Sequence, residues 1–246
     1  MKRVTILAAA VLAVGAAAPA VAADLPARAP APYTKAPAMV QAAYDWSGFY
    51  IGVNGGWGTS NVDWNEDPGV TPGGVAFPGG DEGSHNASGG TIGGQVGYRW
   101  QMSSWVFGLE AQGNWADFRG SNISLQTGFQ NQTKIDAFGL FTGQIGYAWD
   151  RALLYVKGGA AVTDNNYLVV DTGDNANETR WGAAVGVGFE YAIMPNLSLG
   201  LEYDHLFMGT NDVLFASGTG DQIKENVDLI TARLNYKFGG PVAARY

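Results

Sequence analysis

The chain has 246 residues, of which 36 are Gly and 15% are charged, and it contains 8 Trp, 11 Tyr, 11 Phe and no Cys. The lack of cysteine excludes a disulfide or thiolate–metal framework, and the net charge of −8 argues against nucleic-acid binding, which needs a basic face. A mean hydropathy of −0.04 excludes a helical membrane protein, whereas strands that alternate apolar and polar residues would average to such a value.

Residues 1–23 are predicted to be a cleaved secretory signal peptide. The signal has three parts, namely Lys2 and Arg3, the apolar residues 4–18, and the small residues Ala20-Val21-Ala22. An uncleaved membrane anchor is the alternative, and Gly15 and Pro19 argue against it because they interrupt an Ala-rich stretch. No later segment has 18 consecutive apolar residues, so no other spanning helix is expected.

Residues 24–45 are predicted to be a flexible periplasmic linker rich in Pro and Ala. Proline has no backbone N–H and therefore cannot occupy a central position in a sheet. A leftover segment without a role is the alternative to a functional linker. The prolines concerned are Pro26, Pro30, Pro32 and Pro37.

From residue 46 to residue 246 the pattern is alternation with period two, which predicts strands. In residues 105–115, for example, Trp105 and Leu109 share one face while Glu110 and Gln112 share the other. Each run is long enough to cross a bilayer as a tilted strand, which takes about 9–11 residues. Eight runs are predicted, near residues 48–58, 90–100, 105–118, 133–149, 152–163, 179–192, 197–208 and 225–238.

Short and long connections alternate strictly between these runs. The short ones are residues 101–104, 150–151 and 193–196, and the long ones are residues 59–89, 119–132, 164–178 and 209–224. Tight periplasmic turns and larger extracellular loops are typical of outer-membrane barrels. The pattern predicts an all-β fold, an eight-stranded antiparallel up-and-down transmembrane β-barrel. A soluble eight-stranded barrel is the structural alternative, because alternation alone cannot distinguish inside from outside.

Aromatic residues cluster at the short-turn end of successive runs. Amphipathic rings favour the headgroup zone of a bilayer, so we interpret the cluster as one girdle of a membrane barrel. Together with the signal peptide and the loop asymmetry, it favours the membrane barrel over the soluble one. The girdle residues are Tyr98, Trp100, Trp105, Tyr147, Trp149, Tyr191, Tyr236 and Phe238.

The opposite face of the runs carries charged residues that would point into the lumen. A ring of about eight strands leaves an interior that side chains fill, and unpaired charges there are costly, so acids and bases should pair. We interpret the set as a structural plug, with a gated narrow pore as the alternative. The predicted lumen residues are Arg99, Glu110, Asp136, Lys157, Glu190, Glu202, Asp204, Arg233 and Lys237.

No catalytic, cofactor or metal site is predicted. The two histidines are His85, in the first long connection, and His205, which we expect to be an interfacial polar residue. Ser198 is seven residues from His205 and so on the opposite face, which disfavours a lipid hydrolase. The acidic first connection lacks the ligand spacing of a calcium loop, and the glycine-rich stretches lie in strands rather than before a helix.

Several segments resemble the small major outer-membrane proteins of rhizobia and brucellae, a group related to the OmpA and opacity-protein barrels. They are residues 22–26 (AADLP), 35–37 (KAP), 44–52 (YDWSGFYIG), 143–150 (GQIGYAWD) and 154–161 (LYVKGGAA). The resemblance implies an eight-stranded barrel with roles in envelope integrity and surface exposure, often termed porin-like, and supplies no catalytic residues. The end departs from the group, because residues 239–246 follow Phe238, which leaves open whether Phe238 or Tyr246 is the assembly signal.

Three functions remain open from the sequence. The first is a structural and surface-interaction barrel in the outer membrane of a Gram-negative bacterium, and the second is a small-solute diffusion pore. Binding of a host ligand or haem by the loops is a third. The expected partners are outer-membrane lipid and lipopolysaccharide, with periplasmic chaperones and the barrel-assembly machinery during biogenesis, and no nucleic acid.

Overall fold

The computed structural model of the chain describes residues 44–66, 68–70, 76–125, 128–214 and 220–239. The predicted signal peptide and most of the predicted linker lie outside these residues. Tyr44 and Asp45, at the end of the predicted linker, are described and belong to the same compact unit as the strands. No helix in the described ranges is long and apolar enough to span a bilayer.

Eight long antiparallel strands close into a ring, which confirms the predicted architecture. Going round the ring, the order is β1, β10, β9, β8, β7, β6, β5 and β4, so each strand pairs with its neighbour in the chain and the first pairs with the last. A separate two-stranded hairpin is formed by β2 and β3. The bounds are β1 Gly48–Glu66, β2 Gly69–Val70, β3 Ala76–Phe77, β4 Gly80–Met102, β5 Trp105–Ile123, β6 Gln130–Trp149, β7 Ala152–Val169, β8 Asp174–Ala192, β9 Leu197–Leu214 and β10 Gly220–Lys237.

The three short connections lie together at one end of the ring, which we call the lower end. Two of them are tight turns, closed by the pairs Met102↔Trp105 and Trp149↔Ala152. Their first turn residues, Ser103 and Asp150, have positive φ of 57° and 52°. This backbone conformation is needed where a two-residue turn follows the twist of its strands.

The predicted long loops are the main error of the sequence analysis. The barrel strands are 18 to 23 residues long, about twice what a bilayer requires, and they continue upward through most of residues 59–89, 119–132, 164–178 and 209–224. The connection between β7 and β8 is only residues 170–173. We call the upper continuation the extension.

The apolar face reverses in the extension. In lower β1 the apolar side chains of Val53 and Trp57 are exposed, whereas in upper β1 those of Val62 and Trp64 are buried. No register shift separates Trp57 from Val62, so the strand keeps its orientation while its environment changes. Above the bilayer the outer face meets water and the inner face is packed, so the apolar residues move from the outward positions to the inward ones. The sequence of this part of the strand therefore resembles a polar loop.

Candidate functional site

The lower mouth of the lumen is closed by the residues that precede β1. Trp46 is buried, and its indole N–H donates to the Asp150 carbonyl at 3.2 Å while its backbone N–H donates to Gln101 Oε1 at 2.8 Å. Lys237 lies here, half-exposed, and its ammonium contacts the Asp45 carbonyl and the Tyr44 ring. Lys237 therefore joins the mouth rather than the charge network in which it was predicted.

Above the mouth, the buried charged layer begins with Arg99 and Glu190. Arg99 Nη2 lies 2.8 Å from Glu190 Oε2, and both side chains are almost completely buried. The guanidinium also lies 4.5 Å from the centre of the Tyr50 ring, and the Ser198 hydroxyl donates to the other Glu190 oxygen. Each charge thus has several partners, which a buried ion pair needs to offset its desolvation.

Five further buried charges form what we call the central cluster. Arg233 contacts both Glu110 and Glu202. Lys157 Nζ lies 2.7 Å from Glu202, 3.2 Å from Asp204 and 3.7 Å from Glu110. The cluster therefore joins three carboxylates from β5 and β9 to two cations from β7 and β10, and it crosses the lumen from wall to wall.

Two tyrosines tie the central cluster to the charged layer below it. The Tyr50 hydroxyl donates to Glu110 and the Tyr155 hydroxyl to Glu202, each at 2.6 Å. Arg99 contacts both tyrosine rings. Seven of the nine predicted lumen charges thus lie in one connected, buried layer.

A row of four side-chain amides crosses the lumen next to the cluster, and sequence reasoning missed it. Asn54 donates to Gln95 at 2.7 Å, Gln95 to Asn235 at 2.7 Å, and Asn114 to Asn54 at 2.6 Å. These residues come from β1, β4, β5 and β10, so the row fixes the side of the ring where the first and last strands meet.

Apolar layers fill the lumen higher up. The larger one fits tightly around Gly58, where an added Cβ would lie 2.3 Å from the Phe118 ring. Its main side chains are Phe118, Phe138, Leu140, Leu206, Met208 and Leu229. A second apolar cluster lies in the extension and contains Val62, Trp64, Tyr167, Val213 and Ile223.

Asp136 does not point into the lumen, contrary to prediction. Its carboxylate pairs with Lys134 on the outer wall, and its side chain is about one-third exposed at 34%. The pairing of β6 with β7 shifts between Ile135 and Ala137, and this bulge inserts a residue that reverses the inward positions above it.

Two belts of aromatic side chains circle the outer wall. All eight predicted girdle residues are exposed, by 38% to 54%, and they lie at the lower end. Ring contacts link several of them, such as Trp105 with Tyr147 at 5.5 Å. A second belt, which the sequence analysis did not separate from the strands, contains Trp57, Trp115 and Trp181, exposed by 61% to 74%. The sequence feature that could have revealed this belt is a tryptophan at the end opposite the short turns in three of the predicted runs.

The histidines lie in two different environments. His205 is on the outer wall, and its Nδ1 lies 2.7 Å from Asp228 Oδ1. His85 is in the extension beside Asn122, where burial lowers the pKa of its imidazole. Ser198 is buried in the lumen, on the other side of the wall from His205. In the described part of the chain, no three His, Cys, Asp or Glu side chains are grouped as a metal site would require.

Comparison with known proteins identifies the family. Residues 6–238 match the outer membrane protein beta-barrel domain. The chain is 30% identical to the 31 kDa outer-membrane immunogenic protein of Brucella melitensis, over 89% of this chain and 93% of that protein. It is also 32% identical to a 22 kDa outer membrane protein of Rhizobium leguminosarum, over 74% of each chain.

Among solved structures, Neisserial surface protein A aligns with a TM-score of 0.40 and 17% identity, covering 78% of this chain and 98% of that one. The family match, together with the closed ring of eight antiparallel strands, settles both class and location. The chain belongs to the outer-membrane β-barrel family, and it is a protein of the bacterial outer membrane.

Proposed function

We propose that this protein is a structural, surface-interacting barrel that contributes to envelope integrity and does not conduct solutes at a steady rate. The observation that supports the proposal is the succession of buried layers through the lumen. These are the charged layer with its central cluster, the amide row and two apolar layers. Eight strands enclose a volume that side chains can fill, whereas open porins use about 16 strands.

The surface of the barrel also suits a particular set of partners. The two aromatic belts suit contact with outer-membrane lipid and with lipopolysaccharide, since Trp and Tyr favour both membrane interfaces. The relative from Brucella melitensis is named immunogenic, and we extend surface exposure to this chain, whose extension projects beyond the upper belt. Periplasmic chaperones and the barrel-assembly machinery would be its partners during biogenesis.

A narrow pore is the second candidate, and one observation favours it. The hydroxyls of Thr142 and Thr231 are buried in the lumen without a hydrogen-bond partner in the structure. Buried polar atoms of this kind often bind water, and a wet lumen could conduct during brief rearrangements of its charge pairs.

Planar-bilayer recording of the refolded protein tests the proposal. We expect only small and rare current steps from the wild type. A triple variant, Phe118→Ala with Phe138→Ala and Leu229→Ala, removes much of the larger apolar layer and should conduct more. A stable, large current from the folded wild type would overturn the proposal and support the pore.

A further inference from the structure

A group of hydrogen-bonded side chains lies on the outer wall beside the upper belt. It consists of Tyr203 and His205 on β9 and Asp228 on β10, and we call it the outer polar cluster. Ile230 pairs with Trp57 of the belt, and Asp228 is the next outward residue above Ile230 and pairs with His205. The cluster therefore lies at the level where the wall passes from the hydrocarbon layer to the headgroups.

The three side chains meet at one oxygen of the carboxylate. Asp228 Oδ1 accepts from the Tyr203 hydroxyl at 2.6 Å and lies 2.7 Å from His205 Nδ1. A carboxylate can only accept, so Nδ1 carries the proton and Nε2 of the neutral imidazole is an acceptor.

The other two acceptor atoms of the cluster, Asp228 Oδ2 and His205 Nε2, are available to a ligand. Within the described part of the chain, neither atom takes part in a hydrogen bond. Both side chains are accessible, with 41% of Asp228 and 26% of His205 exposed. The cluster thus offers acceptors to a ligand that brings hydrogen-bond donors.

The surroundings of the cluster are aromatic and uncharged. The Phe207 ring lies 4.3 Å from the imidazole, and the indole of Trp57 is 61% exposed. Thr59 pairs with Asp228 on the neighbouring strand, and Asn226 is the next outward residue above Asp228 on β10. An outward-facing carboxylate and imidazole at the edge of the hydrocarbon layer are costly to desolvate, and ionisable residues in such positions mark functional sites.

We propose that the outer polar cluster binds the saccharide headgroup of a lipopolysaccharide molecule in the outer leaflet. Sugar hydroxyls can donate to Asp228 Oδ2 and His205 Nε2, and the apolar face of a sugar ring can pack on Phe207 or Trp57. Phosphate oxygens would instead meet two acceptors and the negative charge of Asp228, which repels them. The cluster therefore selects the sugar part of the headgroup and not its phosphates.

This inference rests on the proposed contact with lipopolysaccharide and assigns it to particular residues. The probe is deep-rough lipopolysaccharide, titrated into the refolded protein in detergent micelles and followed by native mass spectrometry. A dephosphorylated form keeps the sugars and the acyl chains, so it should bind within about threefold of the intact molecule. Phosphatidic acid and phosphatidylethanolamine have no sugar and should bind at least about tenfold more weakly.

Matched alanine variants locate the site. Asp228→Ala and His205→Ala each remove one free acceptor and should weaken binding of the dephosphorylated form about tenfold. Asp164→Ala is the control and should leave binding unchanged. Asp164 is also an exposed outward acid, and it is the next outward residue above Val162, the partner of Trp181 in the upper belt. Heat-modifiable gel mobility verifies that each variant folds.

Three results would overturn the proposal. One is equal binding of all four lipids, which would mean a non-specific contact, and another is tighter binding of phosphatidic acid or phosphatidylethanolamine than of the dephosphorylated form. The third is an equal loss of binding in Asp228→Ala and Asp164→Ala.

Failure of this site can be distinguished from failure of the proposed function. Lipopolysaccharide binding that is insensitive to Asp228→Ala would contradict the site alone, whereas the absence of any lipopolysaccharide binding would also contradict the proposed lipid partner. A steady current in planar bilayers would remove the closed-barrel proposal and leave the outer polar cluster as a binding site.

Discussion

The guanidinium of Arg233 joins two carboxylates and a tyrosine hydroxyl in the lumen. Its guanidinium contacts Glu110 and Glu202 from opposite walls and lies 3.2 Å from the Tyr155 hydroxyl. Removing one member of a buried ion network leaves the remaining charges without compensation, and this loss exceeds the net contribution of the intact network.

We therefore expect Arg233→Met to lower the free energy of unfolding by about 3–5 kcal/mol. The matched control adds Glu110→Gln and Glu202→Gln to the same variant, which removes the uncompensated carboxylates and should recover much of the loss. Urea unfolding of the refolded proteins in lipid vesicles measures both. If the triple variant is no more stable than Arg233→Met, burial of unpaired charge is the wrong explanation.

Leu109 and Gln112 lie on opposite faces of β5. Leu109 is 61% exposed between the two aromatic belts, whereas Gln112 is buried in the lumen. An arginine at the bilayer midplane costs about 2–4 kcal/mol, so Leu109→Arg should reduce the folded yield much more than Gln112→Arg. Heat-modifiable gel mobility gives the yield of each. Equal yields would contradict the assignment of Leu109 to the lipid face and of Gln112 to the lumen.

At the scale of the element, the strands below the upper belt could be predicted from sequence and those above it could not. Below the belt, lipid demands apolar residues outside, and the lumen tolerates polar ones, which gives a clear alternation. Above it, residues such as Asn61 and Asp63 face water while Val62 and Trp64 are buried, so the phase inverts within one strand. A search for one fixed alternation of apolar and polar residues therefore stops following the strand where its outer face passes from lipid to water.

The inward-facing charges of the candidate site could be predicted wherever a strand alternates regularly, and could not be predicted where that alternation is interrupted. Alternation alone assigns Glu110 and Arg233 to the inner face, because each lies in a regular run. It fails at Asp136, since a bulge is a local change of register that period two does not encode. It also passes over the amide row, because Asn54 or Gln95 looks the same in a lumen as on a wet surface.

The tight turn between β4 and β5 allows a stabilising substitution. Ser103 has a φ of 57°, a region that costs residues with a Cβ about 1–2 kcal/mol. Ser103→Gly should therefore raise the free energy of unfolding by up to about 1 kcal/mol after the entropy loss of glycine. Ser104→Gly is the control, because Ser104 has no positive φ and should gain nothing. Urea midpoints that rank these two variants in the reverse order would contradict the turn assignment.

At the scale of the whole molecule, the belts define the bilayer that the barrel fits. Trp105 and Trp115 are ten residues apart on β5. At about 3.3 Å per residue and a tilt of about 45°, this spacing corresponds to roughly 23 Å of membrane thickness. The extension lies beyond that layer, in water.

Refolding should accordingly depend on lipid chain length. We expect the highest folded yield in vesicles whose hydrocarbon layer is about 25 Å thick, and a lower yield at about 32 Å, because a thick bilayer would cover the polar lower part of the extension. Gel mobility after refolding gives the yield, and detergent micelles provide the thickness-independent reference. A folded yield that increases with bilayer thickness would mean that the upper belt does not mark the boundary of the hydrocarbon layer.

The pairing of the first strand with the last also has a consequence for the order of assembly. Tyr50 pairs with Lys237, so the ring closes only when nearly the whole chain is in place. Arg233 lies beside Glu202 as soon as the β9–β10 hairpin forms, but Glu110 is on β5, across the lumen. Ring closure and the pairing of Arg233 with Glu110 are thus coupled, because the arginine reaches the opposite wall only when the final strand is in place.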